Sequence, residues 1–522
     1  MMYMLIIIAS LTSVIFLLKG TKPNQSLKQK HVTQVQKPII MLMVDSLMQE
    51  PMQQAIKEGK AQAIDHLMRH GHLYPDVISS YPTMSVTIDS SLLTGTYSDK
   101  HRVPGLVWFN EKEKKHVNYG SAREEVLKTG LKNVAEDSLY HLNHTHLSRD
   151  VKTLHEEVED TGLQSASVNA LVYRGNKKTK LANLNVLKKA DIIHEHLEIE
   201  TPALFSYGAM AQYSPHNRNN TRLWQGIGFN DRFSAQELIY FIKENKLPAF
   251  TLAYFPDLDK EVHKKGPKNH IKAIEKTDKE LQDVLDAFGS WEKALESAIW
   301  IVMGDSGQAK VGKEKSESMI KINDLLDRYN IHKISDPLKE EHQIVIAHNE
   351  RMAFVYRVDD ELDLKDIAQK LKKDERIGFV AWKEGPLVHV AAGGHKEMLA
   401  FSPGGDYIDT YGQTWLLSGD HSVLDLSKNS HRIEYGKYPD ALTRLHSALN
   451  SHSGSYLIAD AKPGYEFQGE GTPIHPGGAA HGSMHEQDSL VPMVVAGTDS
   501  RPKNMRIVDI KAWILELITQ EE

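Results

Sequence analysis

The chain has 522 residues, with 62 Lys and Arg against 69 Asp and Glu for a formal charge of −7, and 40% of its residues are hydrophobic. That length is far above the size at which core burial becomes marginal, and the near-balanced charge excludes a strongly basic nucleic-acid-binding surface. Cysteine is absent, which removes disulfides, thiolate nucleophiles, Cys-ligated zinc and iron–sulfur clusters together. Any metal must then be held by His, Asp, Glu, Asn or hydroxyl groups.

In chain order, the uncharged run from Tyr3 to Leu18 comes first and ends at Lys19. It falls short of the roughly 20 apolar residues of a spanning helix, and no small-residue cleavage site clearly follows it. The polar tract Gly20 to Gln36 reads as a tether. We expect residues 1–36 to be a hydrophobic signal or membrane anchor plus tether. The catalytic body would then lie at the cell membrane on its outer side, or be secreted. Lysines follow the run and none precede it, which argues for the opposite orientation, so orientation stays open.

The body starts at Lys37. The run Ile39 to Val44 ends in Asp45, as a strand apolar on both faces does when helices cover a parallel sheet. Helices are expected over Met52–His70, Ala235–Glu244, Ile274–Phe288 and Ile510–Thr519. Further apolar runs, Ala249–Phe255, Ala298–Met303 and Leu490–Gly497, alternate with them. The alternation predicts an α/β fold with a mostly parallel sheet. Residues 37–310 read as the first part of the core, with an insertion around 102–230. Residues 311–454 read as an inserted α+β lid or substrate region, and 455–522 as the last part of the core.

Acidic or imidazole side chains sit directly after these strands or beside glycine: Asp45, Asp259 with His263, Asp305 and His481. Oxygen and imidazole ligands converging at the carboxyl edge of a sheet suit Zn²⁺, Mn²⁺ or Fe²⁺. The i, i+4 spacing of Asp259 and His263 puts both on one helix face. Between Ile78 and Gly95, hydroxyl-rich residues lead into a helix that Gly95 can end. A hydroxyl at a helix start beside a metal can attack phosphorus.

The ordered set V-D, S-Y-P-T, L-L-T-G-T-Y-S-D-K-H, D-x-x-x-H-K-K-G-P, G-D-S-G and H-G-S resembles the alkaline phosphatase superfamily, and within it the type I phosphodiesterase/nucleotide pyrophosphatase branch. The resemblance implies a three-layer α/β/α core with two divalent ions, most often Zn²⁺, flanking a Ser or Thr nucleophile. Asp259, His263 and His481 would hold one ion; Asp45, the nucleophile and Asp305 would hold the other. The implied reaction is hydrolysis of a small phosphate ester or nucleotide through a covalent phosphoryl-enzyme.

Two departures stand out. The family's D-H-G is Asp305-Ser306-Gly307 here, so the second centre lacks an imidazole. His485 is a replacement candidate, and Gly419-Asp420-His421 a weaker rival. The family places the attacking hydroxyl two residues before Pro, which maps onto Ser80, with Thr83 as the alternative and Ser79 third. Met84 stands where a sulfatase signature needs Arg, which disfavours that chemistry. Two other functions stay open: an anchored transferase acting on phospho-headgroups, and an inactive envelope-binding relative.

Overall fold

The computed structural model describes residues 19–182, 197–268 and 270–520, so the apolar run at 3–18 lies outside it. No described helix is long and apolar enough to cross a membrane.

Seven strands form the central sheet: β1 Ile39–Val44, β2 Gly71–Ile78, β3 Ser165–Val168, β4 Leu204–Ser206, β5 Phe250–Phe255, β6 Ile299–Gly304 and β7 Leu490–Ala496. Their spatial order is β2-β7-β6-β1-β5-β3-β4. Only β7 runs against its neighbours, β6 and β2; the other pairings are parallel. β1 is buried at every position, and its side chains divide by the two-residue period of a strand. Ile39, Met41 and Met43 join one apolar cluster, while Ile40, Leu42 and Val44 join another. β6 divides likewise, with Ile299, Ile301 and Met303 on the first face and Trp300 and Val302 on the second. Such two-sided burial, at about 1.5–3 kcal/mol per fully buried large aliphatic side chain, explains why these runs do not alternate with polar residues.

The first face packs on helix α1 (Ser85–Thr94) and on the C-terminal helix Ile507–Gln520. The second packs on helices including Asp231–Lys243 and Ile271–Asp286. The expected helix over Met52–His70 is two helices, Gln49–Lys57 and Gln62–Arg69, broken where Gly59 takes φ 69°. The stretch after residue 102 supplies β3 and β4 to the sheet, strands too short and hydroxyl-rich to show as apolar runs.

Residues 344–461 build a second, largely antiparallel sheet in which Met352–Arg357 pairs with both Ile344–Asn349 and Ser455–Ala461. One face joins the core through Val345, Ala347 and Phe354; the other is covered by the helix Leu364–Leu371. The hairpin turn at Glu350-Arg351 projects from this sheet toward the carboxyl edge of the first.

Candidate active site

β6, β1 and β5 are adjacent and parallel, so their carboxyl ends deliver residues to one edge. Asp305 follows β6, and Asp45 follows β1. Helix α2 (Asp257–Lys265) follows β5, with Asp259 in its first turn and His263 in its last. Ser46 takes a left-handed φ of 62°, and its amide donates to Asp305 Oδ1 at 2.9 Å, which ties two strand exits together. His481 follows Ala479-Ala480, a short strand paired with Ala309-Lys310 just past β6.

Asp259, His263 and His481 bring their ligand atoms within 4.8 Å of one another, as one shared ion requires. His263 Nε2 lies 3.1 Å from Asp259 Oδ1, and His481 Nε2 lies 4.0 Å from it. Each imidazole is oriented from behind: Nδ1 of His263 faces the Ala479 carbonyl at 2.9 Å, and Nδ1 of His481 faces the Thr83 carbonyl at 2.5 Å. A carbonyl accepts only, so these bonds put the proton on Nδ1 and leave Nε2 free to ligate. Asp259 Oδ1 also accepts from Ser46 Oγ at 2.9 Å and Gln308 Nε2 at 2.7 Å. Burial opposes charge on His263, but Asp259 and Glu350 outweigh it and raise its pKa to about 10. Burial likewise opposes charge on Asp259, yet His263 and His481 hold it below the ordinary range.

Beside this group is a second one made of oxygen donors. The Tyr254 hydroxyl donates to Asp45 Oδ2 at 2.7 Å and lies 3.3 Å from Asp305 Oδ2. Ser85, the first residue of α1, lies close enough to Tyr254 to influence its hydroxyl. Burial pushes the Asp45 carboxyl well up, and the neighbouring Asp305 and Asp259 push it further. Asp89, one turn beyond Ser85, is raised to about 8 by burial and then by Asp305. Buried acids crowding one another in this way are neutralised by a cation or by protons. The Ser306 side chain is fully buried, and its Oγ has no hydrogen-bond partner among the described residues. Divalent ions fit both groups. The first offers a carboxylate and two imidazoles, as Zn²⁺ prefers, and the second offers oxygen alone, as harder ions prefer.

The five proposed ligands Asp45, Asp259, His263, Asp305 and His481 therefore converge, but the two proposed nucleophiles do not join them as attacking groups. Ser80 is fully buried, with Oγ 2.8 Å from Ser91 Oγ, which in turn lies 3.0 Å from His101 Nε2. The hydroxyl is thus bound into an interior chain. Thr83 Oγ1 accepts from the Gly482 amide at 2.7 Å, so it braces the His481 loop. His485 accepts from the Gln487 amide at the start of a short helix and packs on Tyr438, outside both ligand groups. Asp420 pairs with His395 on the second sheet. Ser85, Tyr254, Ser46, Gln308 and Glu350 were not singled out by sequence; only Ser85 carried a signal, as a hydroxyl opening the helix that Gly95 ends.

A model of the type I phosphodiesterase/nucleotide pyrophosphatase family matches residues 39–402. No curated protein matches the chain by sequence. Among solved structures, murine ectonucleotide pyrophosphatase/phosphodiesterase 5 is similar with a TM-score of 0.54 at 12% identity, over 92% of this chain and 95% of that one. Phosphonoacetate hydrolase from Sinorhizobium meliloti 1021 is similar with a TM-score of 0.54 at 14% identity, over 95% of this chain and 100% of that one. Family and neighbours together indicate a phosphoester hydrolase. The chain belongs to the type I phosphodiesterase/nucleotide pyrophosphatase family.

Proposed function

We propose that this chain is a metal-dependent hydrolase of phosphodiesters or pyrophosphates, with Ser85 as its nucleophile. The observation that carries the reading is the pair of ligand groups at one sheet edge, Asp259–His263–His481 and Asp45–Tyr254–Asp305, with Ser85 opening α1 near Tyr254. Divalent ions held by the two groups would supply Lewis acidity and neutralise charge on the phosphoryl oxygens. Ser85 Oγ attacks phosphorus while the bond to the leaving alcohol or phosphate breaks. The proton lost by Ser85 ends on the departing alkoxide or phosphate, and Tyr254 keeps its hydroxyl donated to Asp45. The N-terminal end of α1 directs its positive dipole at the phosphoryl group. Water oxygen then bonds to phosphorus as the P–Oγ bond of the phosphoserine breaks, and one water proton restores the Ser85 hydroxyl.

Support for the substrate class comes from what the neighbours hold. An inactive threonine-to-alanine variant of the murine protein is complexed with AMP, and the Sinorhizobium protein with phosphonoacetate. Both ligands are small organic anions bearing a phosphoryl or phosphonyl group. The test is turnover of bis-p-nitrophenyl phosphate, p-nitrophenyl phosphate and a phosphonate analogue by the full chain with Zn²⁺ or Mn²⁺. We expect the diester to be turned over fastest; if none of the three is hydrolysed, the hydrolase reading fails.

Ser306 favours one rival, an inactive binding relative, because it removes an imidazole from the second centre. Metal analysis separates the two, since the hydrolase binds about two ions per chain and a scaffold needs none. The proposal also keeps the anchor or export signal at residues 3–18, on the strength of their uncharged run. Cell fractionation should then find the protein in the membrane or outside the cell, and recovery in the cytosol alone would remove that part.

A further inference from the structure

We propose that Glu350 and His475 enlarge the first metal centre, so that its ion draws on protein donors beyond Asp259, His263 and His481. This rests on the metal-centre reading above but not on any choice of substrate.

Glu350 sits in the hairpin turn of the second sheet with φ 55°. A non-glycine residue in the left-handed region costs roughly 1–2 kcal/mol, and such conformations gather at functional sites. Its carboxylate is aimed at the ligand group: Oε1 lies 3.8 Å from His263 Nε2, and Oε2 lies 4.0 Å from His481 Nε2. The His481 amide donates to Oε2 at 3.1 Å, which ties the turn to the His481 loop. The adjacent guanidinium does not neutralise it. Arg351 turns the other way, to the buried carboxylate of Asp488 and the carbonyls of Tyr465 and Ala461. Glu350 therefore meets imidazoles and not Arg351, in a pocket that leaves its side chain 8% exposed.

His475 reaches the same place from the loop before His481. Its ring stacks on His263 with centroids 4.2 Å apart. Its Nδ1 is held at 3.0 Å by Glu466 Oε2, and its amide donates to the other oxygen of that carboxylate. Glu466 is fully buried, so the pair is a fixed carboxylate–imidazole couple that leaves Nε2 as the ligating atom. Such a couple is the usual support behind a metal-bound histidine. The ligand atoms of His263, Glu350 and His475 lie within 4.8 Å of one another. This triad overlaps the Asp259–His263–His481 triad at His263. The ligand atom of His263 thus lies within 4.8 Å of those of Asp259, His481, Glu350 and His475. Two carboxylates and three imidazoles suit a five-coordinate Zn²⁺, Mn²⁺ or Fe²⁺.

The test measures metal binding, independent of turnover. Metal-stripped full-length protein is titrated with Zn²⁺ against a chromogenic chelator, and with Co²⁺ to follow the visible d–d bands. Variants are Glu350→Gln, His475→Ala and Glu466→Gln, with Asp259→Asn as the reference and circular dichroism to verify folding. We expect Glu350→Gln and His475→Ala each to weaken the tight Zn²⁺ site by about tenfold or more, with a smaller loss for Glu466→Gln. The Co²⁺ bands should intensify in Glu350→Gln as the coordination number falls toward four. If Glu350→Gln and His475→Ala match the parent in affinity and spectrum while Asp259→Asn loses the ion, the enlargement is wrong and the metal-centre reading survives. If the folded parent binds no ion, both fall.

Discussion

Replacing Ser85 with alanine separates chemistry from stability. Ser85 is the first residue of α1 and is only partly buried. Alanine is the best helix former, and substitutions away from core or cap features change stability by about 0.5 kcal/mol or less. The loss must then fall on turnover. With no oxygen to form the covalent intermediate, we expect a fall in kcat of about 10³-fold or more, equivalent to roughly 4 kcal/mol of transition-state stabilisation. Ser80→Ala should do the reverse. It removes one member of the buried Ser80–Ser91–His101 chain, at about 1 kcal/mol of stability, and leaves kcat near that of the parent. Thr83→Val falls between them: it strands the Gly482 amide, for about 1–3 kcal/mol, and loosens the His481 loop. The assay is bis-p-nitrophenyl phosphate turnover paired with urea unfolding for all three variants. A dead Ser80→Ala beside a Ser85→Ala within about tenfold of the parent would refute the assignment.

Other expectations follow from the same geometry. Asp45→Ala and His263→Ala should nearly abolish turnover; both remaining within about tenfold of the parent would remove the site assignment. Ser306→His returns an imidazole to the second centre and should tighten Zn²⁺ there by about tenfold or more, read by chelator competition; unchanged affinity would show that Ser306 does not face the ion. His101 is held neutral: burial lowers its pKa from 6.5 to about 3, and its Nδ1 accepts from the Val103 amide at 3.1 Å. Unfolded His101 therefore binds a proton that the folded form refuses. The stability this contributes is present above the unfolded pKa of 6.5 and is lost as pH falls toward about 3. His101→Gln should make the acid-side loss between pH 6.5 and 4.5 shallower by about 1.4 kcal/mol per pH unit, measured as urea midpoints. Equal slopes would contradict a neutral buried imidazole.

Much of the site is legible in sequence because its elements are local. β1 and β6 are apolar on both faces and each ends in an acid, and Asp259 and His263 are one helical turn apart. The rest depends on contacts between distant segments. The proline spacing points to Ser80, but that hydroxyl is bound to Ser91 in the interior, and the helix opens five residues later at Ser85. Tyr254 looks like one more apolar strand residue until β5 sets it beside Asp45 and Asp305. Glu350 arrives on a hairpin of the second sheet, whose pairing no local pattern announces. β3 and β4 escaped notice because their four and three residues are too few to show a period.

Carboxylates and imidazoles at one sheet edge are proposed to bind divalent metal and use it to cleave phosphate esters. The direct measurement is bis-p-nitrophenyl phosphate turnover by the full chain before chelation, after exhaustive chelation, and after stoichiometric return of Zn²⁺ or Mn²⁺. We expect activity to vanish on chelation and to return with about two ions per chain. Turnover that survives with no bound metal would contradict it.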